Sequence, residues 1–352
     1  MQVAFVSMET THHRDTDGAR RVERVARQLA DRGHDVTIYC TQWWDGYAEE
    51  ITRDHVDYRR VTVDPAVFSF VVRIPPLLAV HRPDVVHVRP APPSGVLASS
   101  LGGTLARAPV LADWYGDESV EDARFYERAV TSPDAVVTPS EMVRTEVREL
   151  GATDDASHVI PESIDMGLVR EIEPAEDVDV VYAHPLDSSA NAESLLLGLA
   201  ELRDRDWAAT IIGDGPERER YEDQARDLRI DDRVTFAGAC DIERRLALYK
   251  GAHTFVQTAY RSYFPIEFLW ALACGCVGIV EYQAESSAHE LVREHERSYR
   301  VTDPESLADA IVDAAEFDHL TVDEDWREYD HASVLERYLD LYRDLQEEHG
   351  LL

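Results

Sequence analysis

Lysine is almost missing from this chain of 352 residues: Lys250 is the only one, and arginine supplies every other side chain among the 35 basic residues. A basic surplus is missing too, since 69 acidic residues leave a formal charge of -34. Nucleic acids are bound through clustered Lys and Arg, so this balance excludes them as partners. Cysteine is scarce. Cys40, Cys240, Cys274 and Cys276 form neither a CxxC pair nor a Cys/His cluster, so no metal is expected and the four read as buried thiols of a reducing cytosol. No apolar run reaches about 18 residues, and Met1–Val6 already reads as a strand, with no basic and apolar leader before it. A membrane span and secretion are therefore not expected, and the expected location is cytoplasmic.

What is present is core material. Hydrophobic residues make up 44% of the chain, too many for charge-driven disorder. Acidic residues are spread along the whole length and belong on the surface. Together with the replacement of lysine by arginine they read as halophilic adaptation. At molar salt the Debye length is about 3 Å, so self-repulsion is screened there and exposed in dilute buffer, where loss of structure is expected. The length exceeds the roughly 250 to 300 residues at which single cores split, so two domains are expected.

The first half alternates short β-branched runs with helical patterns. Strands are predicted at Val3–Ser7, Asp35–Cys40, Asp84–Val88, Pro109–Trp114, Ala135–Pro139 and His158–Pro161, with helices such as Arg20–Arg32, Gly95–Ala106 and Glu141–Leu150 between them. This is the grammar of a parallel, doubly wound sheet. A linker is expected over Ile164–Ala175. The pattern then restarts with strands at Val178–Ala183, Ala209–Gly213, Val234–Gly238, Thr254–Gln257 and Val277–Glu281. After Asp325, Val334, Leu335, Tyr338, Leu341, Tyr342 and Leu345 recur at helical spacing. The expected division is 1–165, 176–325 and a C-terminal helix over 326–352 that packs back on the first domain. Open α/β sheets bind ligands beyond the carboxyl ends of their strands, so a ligand cleft is expected there.

Several segments, in order, resemble glycosyltransferase family four, the group 1 nucleotide-sugar enzymes. They are Asp17-Gly18 with its helix ending in Asp31-Arg32-Gly33-His34, Pro83–Val88, Asp134–Glu141, His158–Asp165 in place of V-I-P-N-G-V-D, Ile211-Ile212-Gly213-Asp214-Gly215-Pro216-Glu217, and Pro265–Gly275 ending in Ala-Cys-Gly. A single Gly-Asp-Gly turn mostly connects elements; its place in the series gives it weight. The resemblance implies an α/β protein of GT-B type, two Rossmann-like domains facing a central cleft. It implies a metal-independent, retaining hexosyltransferase that moves sugar from a nucleotide-diphosphate sugar to a hydroxyl acceptor, a glycan or lipid-linked glycan, with no cofactor beyond the co-substrate. The composition and the divergent donor motif together resemble a haloarchaeal member.

The family's site residues carry over unevenly. Gly18, Gly213, Gly215 and Gly275 stand at its donor glycines. The two ribose glutamates have become Ser262 and Trp270, and Glu267, one turn earlier on the same helix face, is the substitute carboxylate. The family's Gly-Arg pair falls in Tyr182–Leu186 and its lysine in Ser189–Asn191, so both usual diphosphate cations are absent, leaving Arg261, Arg20 and the amides around Ser286 and Ser287 as candidates. The family's sugar-holding histidine has become Asp113, taken here as the polar catalytic candidate. His12, His13 and Trp43 are acceptor candidates, although exposed histidines are commonly only solvated and Trp43-Trp44 could simply anchor a loop. Phe68–Leu78 is either a buried helix or a surface for peripheral membrane contact. Two alternatives stay open: a GT-B scaffold that binds without catalysis, and an epimerase on the same fold.

Overall fold

The computed structural model describes residues 1–118, 123–176 and 178–350. It divides into two compact units, Met1–Glu162 with Ala332–Leu352, and Ser163–His331.

The first unit runs β1 (Gln2–Val6), α1 (Asp17–Asp31), β2 (Asp35–Thr41), β3 (Glu50–Arg53), β4 (Val56–Thr62), α2 (Val67–His81), β5 (Val85–Val88), α3 (Pro93–Ala106), β6 (Val110–Asp113), α4 (Ala123–Thr131), β7 (Ala135–Thr138), α5 (Glu141–Glu149) and β8 (Ser157–Val159). The sheet order is β3-β4-β2-β1-β5-β6-β7-β8. All pairs are parallel except β3 with β4. Every residue of β5, β6 and β7 is buried, as expected of central parallel strands covered on both faces. The hairpin β3–β4 was not foreseen, because Glu50–Arg53 and Val56–Thr62 are rich in Arg, Asp and Glu and the antiparallel edge strand is nearly all solvated.

The second unit contains α6 (Met166–Glu171), β9 (Val180–Ala183), α7 (Ala192–Glu201), β10 (Ala209–Ile212), α8 (Arg218–Asp227), β11 (Val234–Gly238), α9 (Ile242–Gly251), β12 (Thr254–Gln257), β13 (Arg261–Ser262), α10 (Ile266–Ala273), β14 (Val277–Glu281), β15 (Glu285–Ser286), α11 (Ala288–Leu291), β16 (Ser298–Val301) and α12 (Pro304–Ala314). Its main sheet, β11-β10-β9-β12-β14-β16, is wholly parallel. A short parallel pair, β13 with β15, stands apart.

Two segments differ from the sequence expectation. The stretch taken as a linker holds α6, whose N-cap Asp165 accepts the Leu168 amide. The sole lysine fixes it: Lys250 is buried, and its Nζ donates to Val169 O at 2.8 Å and also to Ile172 O. These bonds compensate the burial of an ammonium that arginine's broad fork would not match at two converging carbonyls. The C-terminal helix α13 spans His331–Glu348 and starts later than expected, because Glu324–Tyr329 forms a separate 3-10 turn in the second unit. From Val334 onward α13 shares one core with α1 and the first sheet: Val334, Leu335, Tyr338, Tyr342 and Leu345 pack with Val22, Val25, Leu29, Phe5 and Ile38.

Both sheets reverse direction of winding once. In the first, β1 lies between β2 and β5; in the second, β9 lies between β10 and β12. Loops leaving adjacent strands there diverge to opposite faces and leave a crevice at the carboxyl edge.

Candidate functional site

At the β1/β5 switch point the crevice is a cavity of about 470 Å³. The loop after β1 supplies Met8, Glu9, Arg14 and Thr16, the loop after β5 supplies Arg89 and Pro92, and the loop after β6 supplies Asp117 and Glu118. Thr16 caps α1 by accepting the Ala19 amide at 3.3 Å, and its hydroxyl also accepts from Arg89 Nη2 at 2.9 Å. Asp117 accepts the Gly18 amide at 3.0 Å and lies 3.6 Å from Arg89. Glu118 accepts the Tyr115 and Gly116 amides. Burial, and then the neighbouring Asp117, push its carboxyl up to about 7, so near neutral pH it exchanges its proton readily. None of Arg89, Asp117 and Glu118 was singled out in the sequence, since no spacing pattern links loops after β5 and β6. Strand order makes them neighbours.

Behind this crevice the chain keeps a buried charge cluster. Arg21 Nε donates to Asp113 Oδ1 at 2.8 Å, Tyr338 OH donates to Asp113 Oδ2 at 2.7 Å, and His87 Nε2 lies 3.3 Å away. Burial opposes ionisation of Asp113, but the Arg21 guanidinium and the hydrogen bonds outweigh it and hold the carboxyl down at about 2. Burial lowers the His87 pKa, which favours the neutral imidazole. Arg21 Nη2 also donates to Ile160 O at 2.7 Å, and Arg24 pairs with Glu162. Asp113 is therefore corrected from catalytic candidate to a structural carboxylate: with 2% of its surface exposed, it joins β6 to α1 and α13 and presents no oxygen to a ligand. Gly18 changes meaning as well. A Cβ there would stand 2.7 Å from Asp117 Oδ1, so the glycine admits the chain's own carboxylate to the α1 N-terminus.

Among the acceptor candidates, His12 and Trp43 come together as stacked rings with centroids 3.8 Å apart, and Arg53 lies over the same indole. Trp43 also packs edge-on against Trp44 and Tyr58. His13 turns inward to Thr10, whose amide donates to its Nδ1 at 3.2 Å.

In the second unit the β9/β12 carboxyl edge is tied by polar contacts. Asn191, in the left-handed region at φ 49°, donates from Nδ2 to Thr258 O and receives Thr258 Oγ1 on its carbonyl. The Tyr260 amide donates to Ser189 O. Beside this lie the paired strands β13 and β15, which bring together Arg261, Ser262, Ser286 and Ser287: Arg261 faces Glu285, Ser262 faces Ser286, and Ser287 Oγ donates to Tyr263 O at 2.8 Å. Arg261 donates twice to Glu285 Oε2, at 2.7 and 2.8 Å, so it arrives already paired. Gln257 Oε1, buried at the end of β12, has no hydrogen-bond partner.

The remaining donor candidates do other work. A Cβ at Gly213 would lie 2.0 Å from His184 O, and one at Gly215 2.4 Å from Leu186 O. Both glycines let the loop after β9 lie across the β10–α8 turn. In the turn before α8 the Glu217 amide donates to Leu186 O and the Gly215 amide to Asp214 Oδ1. Gly275, at φ +92°, turns the chain from α10 into the amino end of β14, against Leu320. It is thus at the far edge of the sheet from the carboxyl ends. Glu267 is held on α9, with Tyr249 OH donating to Oε2 at 2.6 Å and Arg245 pairing with Oε1. Both oxygens serve helix packing, which corrects its assignment as a substitute ribose acceptor. Arg20 is bound to Asp15 and Asp17.

Solved structures share this fold along the whole chain. A glycosyltransferase from Rickettsia africae ESF-5 superposes with TM-score 0.78 at 15% identity, covering 98% of each chain. HepE from Anabaena, solved in complex with UDP, gives 0.77 at 15% identity over 98% of this chain and 100% of its own. Sucrose-phosphate synthase from Thermosynechococcus elongatus gives 0.74 at 19% identity, over 98% and 99%. The fold is the GT-B arrangement of two Rossmann-like domains. No curated protein matches the chain in sequence. Residues 18–168 match the family model Glycosyltransferase Family 4, and residues 169–330 match Glycosyl transferases group 1. Together these matches run from 18 to 330, and the chain belongs to the glycosyltransferases they describe.

Proposed function

We propose that the chain transfers a sugar from a nucleotide-diphosphate sugar to a hydroxyl acceptor, with the donor on the β9/β12 edge of the second unit and the acceptor in the β1/β5 crevice of the first. The observation that carries this reading is the crevice itself, a cavity of about 470 Å³ at a switch point, lined by Arg89, Asp117 and Glu118. It is of the size that encloses a small ligand. Family membership supplies the reaction class. On the donor side the half-buried Ser262 offers its hydroxyl to a nucleotide, while Ser286, Ser287 and Gln257 beside it are buried. HepE's complex with UDP supports a uridine nucleotide as the first donor to test.

The chemistry follows from positioning and electrostatic stabilisation of the departing diphosphate. We infer retention of anomeric configuration, no metal and no cofactor beyond the co-substrate. The acceptor is a glycan or lipid-linked glycan. Peripheral contact with the inner face of the membrane is supported by Phe68, Val72 and Val80, which stand exposed on α2; among the described residues no helix is long and apolar enough to cross a membrane.

A second reading, a GT-B scaffold that binds nucleotide sugar without transferring it, is favoured by one observation: Arg261, the cation beside the serine group, is already neutralised by Glu285. Incubation with UDP-glucose and candidate acceptors at molar KCl separates the two readings. Release of UDP supports transfer, and binding of UDP without release supports the scaffold. The same samples test the salt proposal. Far-UV circular dichroism is expected to be lost on dialysis to dilute buffer, and an unchanged spectrum would remove halophilic adaptation.

A further inference from the structure

The N-terminus of α1 is the natural anion position of the first unit, since its free amides and helix dipole favour negative charge. In this chain that position is filled from within. Asp117, brought in by the loop after β6, accepts the Gly18 amide through Oδ2 at 3.0 Å, and only a glycine at 18 leaves it room. Among the described residues its other oxygen, Oδ1, has no hydrogen-bond partner. Next to it stands Arg89, only 5% exposed, 3.6 Å from Asp117 and with its Nε unpartnered. A buried guanidinium with an unused N–H, facing a carboxylate docked by one oxygen, is a site shaped for an anion and held by a side chain that satisfies part of it.

We propose that Asp117 is a specificity-determining residue: it occupies the α1 anion position and reserves the crevice for an uncharged, hydroxyl-rich ligand. This rests on the reading of the crevice as the acceptor site. An incoming phosphate or carboxylate would meet Asp117, Glu118 and Glu9 on the same lining and would be repelled. A neutral polyol would find the carboxylates of Glu9 and Asp117 to accept from its hydroxyls and two arginines, Arg14 and Arg89, able to donate. The acceptor is thereby assigned to neutral glycans or neutral glycosyl headgroups, with phosphorylated and acidic sugars rejected.

Sulfate is the probe, because its charge is constant across neutral pH. Calorimetric titration at molar KCl and constant ionic strength compares the native chain, Asp117→Ala, and Asp117→Ala combined with Arg89→Gln. Removing Asp117 takes from the buried Arg89 its carboxylate at 3.6 Å, leaving only Glu118 and the Thr16 hydroxyl near it, so Asp117→Ala should bind sulfate at least about tenfold more tightly than the native chain, and the double variant should lose that gain. Equal sulfate affinity in native and Asp117→Ala protein overturns the proposal, as does a gain that survives Arg89→Gln. If Asp117→Ala does not fold, Asp117→Asn, which keeps an oxygen for the Gly18 amide, carries the same expectation. UDP titrated into the same samples reports the second unit. Its binding, or failure to bind, bears on the donor assignment and leaves the sulfate comparison intact.

Discussion

The two carboxyl edges are built from different materials. In the first unit the edge is held by buried and partly buried ion pairs: Arg21 with Asp113, Arg24 with Glu162, and Arg89 with Asp117. In the second it is held by hydroxyls, one asparagine and backbone carbonyls, as in the exchange between Asn191 and Thr258 and the bond from Ser287 to Tyr263. Near its serine group the cation is on the surface and paired. In this very acidic chain, then, much of the arginine in the first unit is committed to architecture. What is left facing its cavity is Arg14 and Arg89 among carboxylates. The second edge keeps neutral hydrogen-bonding groups, so on the donor reading proposed above a nucleotide would be held there by hydroxyl contacts more than by charge.

The largest effect that would sharpen this contrast is expected at Asp113. Asp113→Ala strands the Arg21 guanidinium, which is fully buried, and should cost about 3 to 5 kcal/mol, read by denaturant unfolding at molar KCl. A loss no greater than that of a surface substitution would break the claim that ion pairs hold the first edge. In the second unit the matching test is Gly213→Ala, which forces a Cβ into His184 O at φ +133° and should cost about 2 kcal/mol or more. UDP affinity should fall with it as the loop after β9 is pushed away.

A pH series addresses the first edge again. Glu118 titrates at about 7 in the folded chain against 4.5 when unfolded, so between those values the native state holds the extra proton. Its contribution to stability is present below pH 4.5 and is lost as pH rises through 7. Glu118→Gln should flatten that part of the stability curve, whereas an unchanged slope would assign it to another group. The smallest effect is expected at Glu267. Glu267→Gln weakens its hold on Arg245 and Tyr249 and should cost about 1 kcal/mol with nucleotide affinity unchanged. A marked loss of UDP binding in a folded Glu267→Gln protein would restore it to the donor site.

Sequence periodicity located the central strands well, because runs such as Val85–Val88 and Ala135–Thr138 are apolar on both faces and bounded by turn residues. It missed β16, whose Ser298–Val301 is polar and only partly buried, and α6, a helix of only 6 residues. Of the donor candidates named from motif positions, Arg261, Ser262, Ser286 and Ser287 are neighbours in the structure. It misread Asp113, Glu267 and Gly275 because a motif gives a position along the chain and not the partner that position meets. Arg21 is 92 residues from Asp113 and Tyr338 is 225 residues away, and no local pattern reports such a pairing. Arg89, Asp117 and Glu118 escaped notice for the same reason: only the strand order places them on one cavity.

The central claim, a nucleotide site on the hydroxyl-rich edge of the second unit, is tested most directly by calorimetric titration of UDP and GDP into the native chain and into Ser262→Trp at molar KCl. Ser262 is half-buried beside Ser286 and Ser287, so the indole would cover the group without entering the core. The account predicts that one nucleotide binds the native chain and that Ser262→Trp, folded by circular dichroism, does not bind it. A folded native chain that binds neither nucleotide, or a Ser262→Trp protein that binds as well as the native one, would contradict it.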